Sequence, residues 1–97
     1  MKVFVIAHRK KERKPEDFQP LVEAEDRRTF EYYRDGLLRE VYSRSDGQGA
    51  IGVLECDSMD HARRLIADLP MVKAGLLDVD IYGAAPYRAI AQLAGQQ

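Results

Sequence analysis

Between Phe18 and Tyr33 a carboxylate, Glu25, falls among the apolar positions Phe18, Leu21, Val22, Tyr32 and Tyr33. At about 100° per residue on a helical wheel these positions span an arc of roughly 120°, with Glu25 and Thr29 near its middle. A carboxylate on such a stripe points inward and loses water. That disfavours its charged form and makes it a base able to take a proton from a carbon acid. The competing account is an ion pair, with Arg28 or with a basic residue on a sheet.

His8 follows an apolar run on the strand face of Phe4 and Ile6, where it could reach a cleft mouth and assist as acid or base near neutral pH. Beside Arg9, Lys10 and Lys11 it also reads as a solvated strand end. Tyrosines in a pocket stack on flat ligands and offer one hydrogen bond, so Tyr32 and Tyr42, with Thr29, are the candidate substrate-binding residues. His61 falls off the apolar stripe of its helix and reads as surface.

With two distant histidines and no clustered carboxylate spacing, no metal is expected. Gly47 and Gly49 sit in a hairpin and do not open a helix, so there is no phosphate loop, and no cofactor is implied. Cys56 ends an apolar run and suits a small buried hydrophobe better than a nucleophile. Asp78 and Asp80 share one strand face, as a solvated or subunit-facing row does.

The elements that must position these residues follow from periodicity. Met1 to Ala7 is a continuous apolar, β-branched run, as expected of a strand covered on both faces. A basic turn leads to Pro15, which suits the first turn of a long helix ending near Asp35-Gly36. Leu37 to Arg44 and Ala50 to Cys56, joined by Ser45-Asp46-Gly47-Gln48-Gly49, predict a hairpin. Asp57 or Ser58 caps a second helix with Met59, Ala62, Leu65, Ile66 and Leu69 on one stripe, and Pro70 stops it. Leu76 to Tyr82 alternates as a fourth strand, and Arg88 to Leu93 forms a last helical turn.

This order predicts an α+β, ferredoxin-like β-α-β-β-α-β fold over residues 1–97 as one domain: a four-stranded antiparallel sheet with two helices on one face. A sheet whose first strand is apolar on both sides needs its open face covered. Homodimerisation through that face is the expectation, with room for assembly beyond the dimer.

Composition sets the outer limits. Fifteen basic residues against sixteen acidic ones give a formal charge of -1, which draws the chain neither to nucleic acid nor to an anionic membrane. The apolar run at the N-terminus is too short for a signal peptide, and no stretch approaches the roughly 18 to 20 apolar residues of a membrane span. A lone cysteine cannot form an internal disulfide, which points to the reducing cytoplasm. A small-molecule ligand is the partner class that remains.

The tract from Ala62 to Ile81, in which a helix closing on Leu69-Pro70 leads into the strand Leu77-Asp78-Val79-Asp80-Ile81, resembles the end of muconolactone isomerase-like proteins. The charged and aromatic helix from Glu25 to Gly36, followed by a strand with an aromatic at Tyr42, is similar to the corresponding part of that family. The resemblance implies a dimeric α+β barrel and an isomerase-like enzyme or binder, with Glu25 moving a proton on a lactone. The same scaffold carries cofactor-free monooxygenases of aromatic polyketides and modules without catalysis, and both remain open as alternatives.

Overall fold

In the computed structural model, which describes residues 1–96, four strands form one antiparallel sheet in the order β2-β3-β1-β4. They are β1 (Lys2–Arg9), β2 (Leu38–Ser43), β3 (Gly49–Glu55) and β4 (Leu77–Gly83). The helices are α1 (Pro15–Phe18), α2 (Val22–Arg34), α3 (Met59–Ala67), α4 (Pro70–Lys73) and α5 (Arg88–Ala94). With β1 and β3 central and the β2-β3 hairpin at one edge, this is the ferredoxin-like α+β topology.

Alternation along β1 divides the sheet into two unlike faces. Val3, Val5 and Ala7 lie opposite Leu54, Gly52 and Ala50 of β3, on the side covered by helices. There Val3, Leu54 and Ala62 are at most 1% exposed, and Tyr32 and Leu38 join the same cluster. Phe4, Ile6 and His8 face the other side, opposite Val53, Ile51 and Gly49. No helix among the described residues covers that face, and Phe4, Ile51, Tyr42 and Tyr82 are exposed on it.

The expected long first helix is interrupted. Pro20 has no N–H to donate, so α1 gives way to a 3₁₀ turn over Gln19–Leu21 before α2 begins. Within the uninterrupted α2 the step of about 100° from Tyr32 to Tyr33 buries the first and leaves the second 59% exposed instead of pointing inward. The second helix starts as expected: Ser58 Oγ accepts the His61 amide at 3.0 Å. Pro70 does more than stop it. With its fixed φ it opens a further single turn, α4.

After β4 the chain leaves the body. Residues 84–96 carry α5 outward, which gives a longest extent of 56 Å and a radius of gyration of 15.6 Å, where about 12.5 Å is usual for this length. Tyr87, Ile90 and Leu93 on this arm are exposed. No helix among the described residues is long and apolar enough to cross a membrane.

The hairpin depends on two glycines in different ways. Gly47 has φ +73° and open space where a Cβ would go, whereas a Cβ on Gly49, at φ +150°, would lie 1.9 Å from the Ala7 carbonyl oxygen. Gly47→Ala is expected to cost about 1 kcal/mol, the backbone strain alone. Gly49→Ala adds a clash with backbone that cannot rotate away, and more than about 2 kcal/mol is expected. Urea unfolding of the two variants side by side measures the difference; equal losses would show that the close approach to Ala7 does not constrain the strand pair.

Candidate functional site

A cleft of about 370 Å³ opens between α2 and the helix-covered side of the sheet. Its walls are apolar, drawn from Val5 and Ala7 of β1, Val79 of β4, and Leu69. Glu25, Thr29 and Tyr32 line it from α2. Their spacing of four and three residues puts them on one helix face, as the wheel indicated.

Glu25 is half-buried, and among the described residues it forms no ion pair. Its Oε1 instead accepts the backbone N–H of Met71 in α4 at 2.9 Å. Burial pushes the carboxyl above the usual carboxylate range; the Met71 amide pulls the other way, and the neighbouring Asp26 charge adds to the rise. Arg28, the expected partner, turns elsewhere. It donates to Asp68 and, at 3.5 Å, to Glu31, and its guanidinium lies 5.0 Å from the Tyr32 ring centroid.

Tyr32 is committed to structure as well as to the cleft. Its hydroxyl donates to the Leu65 carbonyl at 2.7 Å, tying α2 to α3, and burial raises its pKa. Thr29 lies one turn from Glu25 with its side chain half-buried. Tyr42 borders the cleft as part of β2, but its register opposite Ile51 sends the ring to the open face of the sheet. There its hydroxyl donates to Glu40 at 3.0 Å.

His8 does not join this group. It keeps the strand face of Phe4 and Ile6, and that face is the open one, so the sheet itself separates it from Glu25. Its Nε2 is 3.0 Å from Asp80 Oδ2, and its Nδ1 is 2.7 Å from Arg44 Nη1. Asp78 and Asp80 stand on the same open face, opposite His8 and Ile6. Cys56 is buried beside Met1 and Ser58. The described residues contain no group of three or more potential metal ligands.

Two contributors escaped the sequence. Arg9 borders the cleft, its guanidinium 4.7 Å from the Phe18 ring centroid. Extending the alternation Val3, Val5, Ala7 by one step would have placed it there. The Met71 amide carried no side-chain signal; only Pro70 as the start of a new turn could have pointed to it.

An apolar cleft between one helix layer and an antiparallel sheet, with a desolvated carboxylate in it, defines a ferredoxin-like α+β protein with a small-molecule-sized site. No protein-family model matches the sequence, and no curated protein does. Among solved structures the chain is similar to muconolactone isomerase, with a TM-score of 0.74 over 90% of this chain and 91% of that one at 16% identity. It is also similar to 5-chloro-2-hydroxyhydroquinone dehydrochlorinase from Burkholderia phenoliruptrix, solved with 2,5-dihydroxybenzoquinone. There the TM-score is 0.63 over 92% of this chain and 98% of that one, at 14% identity. At these identities the likeness shows a shared fold, the one the resemblance implied.

The raised Glu25 carboxyl has a consequence for stability. The folded chain binds this proton more tightly than the unfolded chain, whose glutamates titrate near about 4.3. The contribution of Glu25 to stability is therefore fully present below that value and is lost as pH rises through the folded pKa. Glu25→Gln removes the titration while keeping an acceptor for the Met71 amide. Urea unfolding from pH 4 to pH 7 should show the variant gaining on the wild type as pH increases; a difference that stays flat would mean that burial does not disfavour the charged form.

Proposed function

We propose that this chain is a small-molecule enzyme that moves a proton on a lactone or other carbon acid, with Glu25 as the proton acceptor. The observation that carries the reading is the position of Glu25: half-buried in an apolar cleft, with one amide on its carboxylate and no cation paired to it. A structural carboxylate on an apolar stripe would be expected in an ion pair, and the available arginine, Arg28, is engaged by Asp68 and Glu31.

The chemistry balances with this chain's residues alone. The Glu25 carboxylate takes a proton from a carbon next to a carbonyl, and the electron pair moves into the conjugated system as an enolate. Returning the proton to a different carbon completes an isomerisation. Expulsion of a leaving group from the adjacent carbon completes an elimination. The names of the two similar structures, an isomerase and a dehydrochlorinase, fit these two outcomes of one proton abstraction. Thr29 and the Tyr32 ring face the ligand from α2, Tyr42 borders the cleft from β2, and Arg9 adds positive charge at its edge.

The working form in this reading is a cytoplasmic homodimer joined through the open sheet face. The chain exposes 6888 Å² of surface, about 1,300 Å² above the roughly 5,600 Å² expected of a compact 11.0 kDa monomer. A standard interface removes about 800 Å² from each partner, and the surplus here includes the protruding residues 84–96 as well as the open sheet face. Phe4, Ile51, Tyr42 and Tyr82 give that face the apolar character such an interface needs.

Incubation with butenolides and related lactones in D2O tests the chemistry directly. Deuterium should enter at the acidic carbon, followed by NMR, and Glu25→Gln should slow its entry by roughly 10² to 10⁴. A ligand that binds in the cleft without exchanging would sink the enzyme reading in favour of a binding module. Sedimentation tests the assembly: the wild type should run as a dimer and Ile51→Asp as a monomer, whereas a wild-type monomer at tens of micromolar would remove the proposed interface.

A further inference from the structure

Glu25 and the Met71 amide belong to two elements, α2 and α4, that are tied together a second time on the outer side of the cleft. Asp68, the residue after α3 that caps it, accepts from Arg28 of α2 through Oδ2 and from Lys73 of α4 through Oδ1, the latter at 3.0 Å. One carboxylate thus bridges the same pair of helices that meet at Glu25. Arg28 is in turn oriented by Glu31 and by the Tyr32 ring.

We propose that Asp68 is a positioning residue for Glu25: by holding Arg28 and Lys73 on one carboxylate it fixes α4 against α2, and with it the Met71 N–H on Glu25 Oε1. The inference rests on the reading of Glu25 as the proton acceptor. Helix α4 is a single turn of four residues and has no cooperativity of its own, so its placement comes from tertiary ties. The Asp68, Arg28 and Glu31 side chains are each 39% exposed, and Lys73 is 62% exposed. Ion pairs of that exposure add little stability. What a bidentate bridge between two helices supplies is geometry.

The groups around Glu25 leave few other controls on its proton. Asp26 and Tyr32 approach from its own helix and Arg9 borders the cleft from β1, while the Tyr42 hydroxyl of β2 lies on the opposite face of the sheet, on Glu40. Leu77 and Val79 of β4 are apolar, and α4 offers the Met71 amide. Of these, the amide is the donor seen on the carboxylate, and it opposes the effect of burial.

The bridge and a plain charge effect predict opposite signs. Removing a negative charge by Asp68→Asn would, through space alone, ease ionisation of Glu25 and lower its titration midpoint. Loosening the bridge instead withdraws the Met71 donor and raises the midpoint. Carboxyl-carbon NMR titration of the full chain should show Glu25 moving up by roughly 0.5 to 1 pH unit in Asp68→Asn. Met71 amide exchange should become faster, and the pH limb of any turnover should move with the midpoint. Lys73→Gln gives a second route should Asp68→Asn not fold. It should also speed Met71 exchange, which a charge effect would leave unchanged. A Glu25 midpoint that falls or stays put with Met71 protection intact overturns the positioning role. A wild-type midpoint in the ordinary range overturns instead the reading of Glu25 as a desolvated base.

Discussion

The packing of Val3 and Leu54 against α2 and α3 is the contact on which the remaining structure rests. These are the two largest side chains with almost no exposure, they sit opposite each other on adjacent central strands, and burying each is worth about 1.5 to 3 kcal/mol. Once they face the helices, the two-residue period of a strand fixes every other side chain on β1 and β3. Ala7 and Ala50, small and opposite each other nearer the hairpin, leave space where larger residues would fill it. The cleft lies there. It is the part of the helix-sheet interface that the core does not occupy.

Into that space α2 delivers Glu25, and the energetics of this placement run against folding. A carboxylate taken partly out of water loses hydration that a single amide only partly replaces. An apolar residue at position 25 would remove that penalty and extend the stripe formed by Val22, Thr29 and Tyr32. A fold with a marginal stability of a few kcal/mol gains nothing structural from keeping it. The Met71 amide moderates the penalty without neutralising the group, which leaves a carboxylate that can both accept a proton and give it up. An ion pair would have met the same penalty and suppressed that exchange.

Much of this was legible in the sequence because it depends on short-range rules. The strands, the Ser58 cap, the inward position of Glu25 and the face shared by Phe4, Ile6 and His8 all follow from periods of 2 and 3.6 and from one side-chain cap. The errors arose where a rule was stopped too early or where the third dimension decided. Pro20 breaks what reads as one helix from Pro15, and the step of about 100° from Tyr32 to Tyr33 carries Tyr33 past the edge of the buried face. Arg9 belongs by charge to the basic turn and by alternation to the strand, and the strand prevails. The period of two puts His8 on the face of Phe4 and Ile6, but no local pattern says which face of a sheet the helices will cover, and they cover the other one. Met71 contributes only its backbone, which sequence composition does not display.

The separation of His8 from Glu25 gives the two faces of β1 different surroundings. Arg44 and Asp80 hold the two ring nitrogens of His8, with Nδ1 2.7 Å from Arg44 Nη1 and Nε2 3.0 Å from Asp80 Oδ2. Arg44 also reaches the Ala7 carbonyl and Asp46. His8 therefore connects the hairpin end of β2, the central strand and the edge strand β4 across a surface otherwise formed by Phe4, Ile6 and Ile51. This network holds in place the polar corner of a face whose apolar remainder is suited to association. The cleft side chains on one side of β1 and the exposed apolar side chains on the other share only the backbone between them, so side chains of either face can change while the other face keeps its register.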